Sequence, residues 1–222
     1  MSYRATPTAG RLASNDPKAN PARSIPKRSF DAFAAAVILV ALLPGLTVIA
    51  CLIKLTSQGP VLFRQRRYGL NNTIFSIYKF RTMYIAQCDS TGVAQTRKDD
   101  PRVTPIGRVL RRFSLDELPQ LINVLKGDMS LVGPRPHVVG MLAAGDLYEL
   151  LVPNYFDRHR VRPGLTGLAQ AQGFRGSTVD ANRAKARIEL DLEYVQNWSF
   201  GLDLRIIMDT MRMEFLRAGD GI

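Results

Sequence analysis

The 222-residue chain predicts an α+β fold, mostly helical with one small β-hairpin, carried on an N-terminal re-entrant membrane helix and bordered by amphipathic interfacial helices. Three observations point there. The hydrophobic content of 46% is enough for one real core. A run of 22 uncharged residues from Ala32 to Ile53 is interrupted by Pro44-Gly45. Behind it come two strand-like segments around a turn, then segments of helical periodicity. The chain divides into a flexible basic arm over 1–26, a membrane helix over 27–58 and a cytosolic domain over 59–222.

The arm carries Pro7, Pro17, Pro21 and Pro26 among small and basic residues, a composition suited to touching anionic lipid. The apolar run has the length of a transmembrane span. Pro44 nevertheless divides it into pieces of about twelve and nine residues, roughly 18 and 14 Å as helix, each short of the ~30 Å hydrocarbon core. Lys27 and Arg28 precede the run, and Lys54, Arg64, Arg66 and Arg67 follow it, so both flanks favour the cytoplasmic side. A helix that enters, bends at Pro44 and returns satisfies both facts. Val48-Ile49-Ala50-Cys51 looks like a lipoprotein processing box, but the run starts late and continues past the cysteine, which argues against a cleaved signal.

"VLFRQRRY" and "NTIFSIYKF", joined by Gly69-Leu70-Asn71-Asn72, read as a hairpin, with Lys79 and Arg81 on one side if the strand continues. Residues 86–101 read as loop. Thr104-Pro105 is an N-cap with proline at the first helical position, opening a helix with Ile106, Val109, Leu110 and Phe113 on one face and Arg108, Arg111 and Arg112 on the other. A helix over 115–126 should end at Gly127. Gly133-Pro134-Arg135-Pro136 is a stiff segment around one arginine, and 161–170 is a second Pro/Gly loop. Residues 180–197 form a charged helix with a seam of Ala184, Ile188, Leu192 and Val195. The last helix presents Leu204, Ile207, Met208, Met211 and Phe215, a face suited equally to the core and to a bilayer surface.

The net charge of +11 calls for an anionic partner: nucleic acid, a lipid surface or a phosphorylated small molecule. Residues 64–112 hold eleven Lys or Arg against three acids. Cys51 and Cys88 make no disulfide framework, and His137 and His159 are too few for a common zinc site, so ordinary hydrogen-bonded roles are expected of them. No Walker A loop, dinucleotide fingerprint or Asp-x-Asp pair is present. An anionic substrate would therefore fall to arginines and helix N-termini, and a helix starting at Ser114 would offer such an end, keeping a carboxylate there ionised. Ser114 and Glu117 have the spacing of a capping box; Asp116 and Glu117 could equally be an acid pair. The residues alone leave both readings open.

"KRSFD" (27–31), "GPVLFRQRRYG" (59–69), "YKFRTM" (78–83), "DPRVTPIGRVLRRFSLDELPQLINVLKGDMSLVGPRP" (100–136) and "RPGLTGLAQ" (162–170) resemble, in order, the bacterial sugar transferases, the monotopic phosphoglycosyl transferases. The resemblance runs from about residue 26 to the C-terminus. It implies transfer of a sugar 1-phosphate from a UDP-sugar to a polyprenol phosphate at the cytosolic face of the bacterial inner membrane, releasing UMP. Asp116 would be the nucleophile, Glu117 would bind Mg2+, and Pro44 would break the re-entrant helix. Lys79, Arg81, Arg111 and Arg135 would bind phosphate or shape the nucleotide site, with Arg112, Pro134 and Pro136 beside them. "DLEYVQNWSFGLDLRII" (191–207) is similar to the hexose branch of exopolysaccharide synthesis, so the expected partners are UDP-glucose or UDP-galactose, undecaprenyl phosphate and inner-membrane lipids, without nucleic acid and with a homodimer left open. Residues 169–180 replace the Asn-Gly-Arg of the acetamido-sugar branch, which leaves that sugar as the alternative. Two other readings stand: a basic membrane-attached binder without catalysis, and a single-step transferase using Asp116 only as a metal ligand.

Overall fold

The structure, a computed structural model, describes residues 20–85, 100–174, 176 and 179–219, with side chains through residue 214. Most of the predicted arm and of the 86–101 loop therefore lies outside the described residues. Helix α1 (Ile25–Thr56) starts at Ser24, whose Oγ accepts from the Lys27 N–H at 3.3 Å, with a proline in its first turn. It continues through Pro44 as one helix, about 48 Å long at 1.5 Å per residue. By length and hydropathy it is the one helix among the described residues able to cross a membrane.

Around Pro44, residues 40–45 are exposed in succession, whereas both ends of α1 are tied to the rest of the chain. At the start, the Lys27 Nζ lies 2.6 Å from Asp203, and Arg28 donates to the carbonyls of Val124 and Leu125 at 2.6 and 2.8 Å. The two cations counted above as flanking charges are thus spent inside the protein, and Lys27 is buried. Pro21 is also buried and Ala22 O accepts from Arg162, so the arm ends earlier than residue 26. At the far end, Ile53 packs with Phe80 and Leu110. Arg81 donates to Pro60 O (2.6 Å), Ser57 O (2.7 Å), Ser57 Oγ (2.9 Å) and Ile53 O (3.2 Å). Helices end with unsatisfied carbonyls, and one buried guanidinium here serves that end.

Strands β1 (Leu62–Tyr68) and β2 (Ile74–Phe80) form the expected antiparallel hairpin, with Leu62 opposite Phe80 and Tyr68 opposite Ile74. The turn works because Asn71 and Asn72 adopt left-handed φ of 51° and 61°, which asparagine tolerates. On the outer edge of β2, Asn123 Oδ1 accepts from Tyr78 N at 3.0 Å and its Nδ2 donates to Ser76 O at 2.8 Å.

Helix α2 (Pro105–Arg112) is capped as predicted: Thr104 Oγ1 accepts from Gly107 N at 2.9 Å. The single helix predicted for 115–126 is instead a 3-10 turn, Leu115–Glu117, and a separate α3 (Gln120–Lys126). Ser114 sits in the left-handed region with φ 55° and caps nothing with its side chain. Pro119, having no N–H, separates the two pieces. The capping-box reading fails for that reason, and so does the long helix N-terminus it would have supplied. Gly127, at φ 89°, ends α3 by donating to Asn123 O and Val124 O at 3.1 Å.

Strand β3 (Ser130–Val132) pairs in parallel with β6 (Gly164–Thr166), a strand inside what reads as a loop in the sequence. The two Pro/Gly segments lie backbone to backbone: a Cβ on Gly164 would stand 2.1 Å from Gly133 N, so nothing larger than glycine fits. Between them come a short ladder of β4 (Leu142–Ala143) and β5 (Asp146–Leu147), then α4 (Tyr148–Leu151) and a 3-10 helix, Tyr155–Arg160. Helices α5 (Leu168–Ala171), α6 (Ala181–Asn197) and α7 (Phe200–Gly219) complete the chain. The main core joins Ala35 of α1 to Leu121, Val124, Met129, Val132, Tyr194 and Ile206. On α6, Ala184 and Ile188 are buried as expected. On α7 the core side is Asp203 and Ile206, leaving Leu204, Met208 and Met211 outward at 41%, 53% and 64% exposure.

Replacing Arg81 with alanine removes the donors that close α1. The expected loss is on the order of 3 kcal/mol, or about 6–12 °C in Tm at this chain length, read by thermal unfolding in detergent; an unchanged Tm would mean the carbonyls are satisfied otherwise.

Candidate active site

Glu117, at the end of the 3-10 turn, meets two cations from distant parts of the chain. Lys79 Nζ, at the end of β2, lies 2.7 Å from its Oε1. Arg135 grips it as a fork, Nη1 to Oε2 at 3.0 Å and Nη2 to Oε1 at 2.5 Å. Burial alone would push the Glu117 carboxyl up, but Arg135 and Lys79 overcome it and hold the group well below the ordinary range. Burial in turn pulls Lys79 down despite Glu117.

Asp116 is buried beside this triad, and among the described residues no group donates a hydrogen bond to its carboxylate. Its pKa is pushed up, chiefly by burial and also by Glu117, against the pull of Lys79, Arg111 and Arg135. The expectation of a carboxylate kept ionised by a helix end is corrected here: a three-residue turn supplies no such end, and Lys79, the cation that acts on Asp116 most strongly, is paired with Glu117.

Arg135 owes its place to its backbone. Pro134 O accepts from Gly164 N at 2.9 Å, Arg135 O from Arg158 Nη2 at 2.5 Å and Pro136 O from Arg67 Nη1 at 3.1 Å. Three carbonyls in a row are thus held by three different segments, while the prolines restrict φ on either side. Pro134 and Pro136 are buried in this frame.

The other predicted residues divide. Arg111, at the end of α2, donates from Nε to Thr82 Oγ1 at 2.8 Å and is close enough to stabilise the Asp116 anion. Arg112 points elsewhere, exposed, with its guanidinium over the Phe113 ring. Arg81 is consumed at the end of α1 and does not join the acid pair. His137 and His159 are the hydrogen-bonded residues expected, paired to Tyr155 Oη at 2.8 Å and Asn72 Oδ1 at 2.6 Å.

Arg67 stands out in the sequence only as a flanking charge, and Arg158 and Asp191 carry no signal there. The face of Arg67 was legible: two-residue periodicity and the hairpin register put Phe63, Gln65 and Arg67 on the same face as Phe75, Ile77 and Lys79. Burial and Arg135 lower the Arg67 pKa to about 10. Arg158 and Asp191 are joined only by tertiary contact, and no local pattern announces them.

The family model of the bacterial sugar transferases matches residues 22–217. The chain belongs to that family. A relative from Rhizobium leguminosarum bv. phaseoli, called an exopolysaccharide production protein, is 55% identical over 86% of this chain and 96% of its own length. An undecaprenyl-phosphate glucose phosphotransferase of Komagataeibacter xylinus is 52% identical over 85% of this chain, which spans only 35% of that longer protein. A UDP-glucose:undecaprenyl-phosphate glucose-1-phosphate transferase of Caulobacter vibrioides is 49% identical over 83% of this chain and 68% of its own length.

For a metal of this sugar transferase, no group of three or more His, Cys, Asp or Glu side chains is assembled among the described residues. Asp116 and Glu117 offer two carboxylates, and among the described residues Glu117 Oε2 accepts one hydrogen bond. That donor set fits magnesium, which is commonly held by one or two carboxylates with substrate phosphate completing its shell.

Two charge-removing changes separate the acids. Asp116 has a raised folded pKa, so its ionised form costs stability at neutral pH. Asp116→Asn should raise Tm at pH 7, with the gain shrinking as pH falls and the wild-type acid takes up its proton. Glu117 has a depressed folded pKa, so its contribution is present above the unfolded carboxyl value and is lost only as pH falls through the lower folded one. Glu117→Gln should lose about 1–2 kcal/mol at pH 7, because two partly buried cations, Lys79 and the more exposed Arg135, remain unpaired. Thermal unfolding against pH checks both, and opposite signs for the two variants are required.

Proposed function

We propose that this sugar transferase moves a hexose 1-phosphate, with glucose the foremost sugar, from its UDP-hexose to undecaprenyl phosphate, releasing UMP, through a covalent intermediate on Asp116. The observation that carries this is the buried Asp116 carboxylate, which receives no hydrogen bond among the described residues and lies in the field of Lys79, Arg111 and Arg135. A structural acid would be satisfied by donors; this one is left poor in them and rich in cationic surroundings, as suits a nucleophile toward a phosphate.

An Asp116 carboxylate oxygen forms a bond to the sugar-bearing phosphorus while the bridging P–O bond breaks and UMP leaves with its oxygen. An oxygen of undecaprenyl phosphate then attacks the same phosphorus and frees the carboxylate. Arg135 and Arg111 stabilise charge on the transferring group, and Lys79 holds Glu117 in place. Magnesium, held by Glu117 Oε2 with Asp116 beside it, would neutralise the diphosphate and favour departure of UMP. The names of the relatives support glucose; UDP-galactose and UDP-acetamido sugars are the alternatives for the same chemistry.

The lipid acceptor demands a site at the membrane, and α1 supports a re-entrant course. Its two ends are tied to one body of protein, Lys27 to Asp203 and Arg81 to the final carbonyls, while residues 40–45 stand clear of it. Exposed Val109, Phe113, Ile122, Leu125, Leu204, Met208 and Met211 support the reading of α2, α3 and α7 as interfacial.

Incubating the protein with UDP-glucose and magnesium alone should add one hexose phosphate to the intact mass and release one UMP per chain. Asp116→Asn should do neither, and UMP release only when lipid acceptor is supplied would point to single-step transfer. The acid limb of the kcat/KM profile should lie above the ordinary aspartate range, because burial raises Asp116; a limb at or below that range contradicts its ionisation as the controlling step. For the membrane course, single cysteines at Arg23→Cys and Gln58→Cys, with Cys51 and Cys88 replaced by serine, should react with an impermeant thiol reagent from the same side of sealed vesicles. Labelling from opposite sides would establish a span.

A further inference from the structure

Arg158, in the 3-10 helix over 155–160, has no exposed side-chain surface, and its partner Asp191 on α6 has 2%. Asp191 Oδ2 accepts from Arg158 Nε at 2.9 Å and from Nη2 at 2.6 Å. The remaining amino group, Nη1, stands 3.3 Å from His159 Nε2, and the guanidinium lies over the Tyr155 ring. Burial and the Arg158 charge hold His159 down at about 3, so the imidazole is neutral and can accept there while its Nδ1 faces Asn72 Oδ1. Each end of the guanidinium is thereby fixed. What the fixed group does is donate from Nη2 to the carbonyl of Arg135, the one hydrogen bond that this carbonyl receives among the described residues.

A buried arginine-aspartate pair is seldom retained for stability, since well-packed apolar side chains of similar volume serve as well or better. An apolar pair could not hold a carbonyl. The Arg135 backbone lies between two prolines that restrict its neighbours, so the direction of its peptide governs where the forked side chain emerges. We propose that Arg158, oriented by Asp191, is a positioning residue that sets the Arg135 guanidinium on Glu117 and on the transferring phosphate from behind. The proposal rests on the placing of Arg135 in the active site.

The test replaces the pair by apolar side chains, Arg158→Met with Asp191→Leu. The expected protein is folded, with Tm within a few degrees of wild type, yet its kcat falls ten- to a hundredfold while KM for UDP-glucose shifts less than about threefold, since the Arg135 charge stays in the site but is displaced. In an Arg135→Lys background, where the fork is already lost, the same double replacement should change kcat less than twofold. Wild-type kcat in the folded double variant, or losses that simply multiply with that of Arg135→Lys, would overturn the positioning role. Should Arg135→Lys and Arg135→Ala themselves keep wild-type turnover, the placing of Arg135 in the site falls and the positioning role with it, an outcome distinct from the first two. If the apolar pair does not fold, Asp191→Asn takes its place: it keeps an acceptor and weakens the hold, so a several-fold loss of kcat is expected in the wild type and none beyond Arg135→Lys.

Discussion

Lys79 and Arg135 would repel each other if brought this close without an anion between them, and Glu117 is that anion. One carboxylate thereby joins the end of the hairpin, the turn after α2 and the Pro-Arg-Pro segment. Much of the rest follows from electrostatics. With two cations committed to Glu117, the adjacent Asp116 receives only the longer-range field of these two and of Arg111, which does not offset its desolvation. Two neighbouring acids in one sequence motif therefore divide into an ion-paired centre whose charge is favoured and a neighbour whose charge is costly, a division that environment imposes on chemically similar groups.

The same use of buried charge governs the attachment of α1. At its start Lys27 meets Asp203, which also accepts from Tyr194 at 2.8 Å and Trp198 at 3.1 Å, while Ser130 donates to Asp31 at 2.6 Å. At its end the guanidinium of Arg81 gathers the carbonyls. An apolar helix in contact with lipid gains little by packing against its own domain through more apolar surface, since lipid offers the same. Directional polar contacts at both ends specify its placement where hydrophobicity could not.

Local physics made part of this readable in the sequence. Alternation and the asparagine turn gave the hairpin, Thr104-Pro105 gave the start of α2, and Gly127 gave the end of α3, because each depends on residues within a few positions of one another. The motif around Asp116 drew attention to the acid pair but suggested the wrong backbone: the spacing of Ser114 and Glu117 fits a capping box, and only the pull of Lys79 and Arg135 shows that Glu117 is needed elsewhere. Arg81 and Lys79 stand two residues apart and look equivalent, yet the chain leaves the strand after Phe80 and sends Arg81 to a helix end. Arg158 and Asp191, 33 residues apart, meet through tertiary packing that no periodicity encodes. Family resemblance offered what short-range reasoning could not, an expectation for the roles of the acids, but not the scaffolding behind them.

Asn123 has a consequence beyond the fold. A two-stranded sheet leaves an open edge, and an open edge invites strands from other molecules. By answering Tyr78 N and Ser76 O with its own amide, Asn123 ends the ladder with a side chain that cannot be extended. A protein concentrated in the two dimensions of a bilayer meets its own copies often, and this amide closes that edge to cross-β growth, leaving any self-assembly to other faces of the molecule.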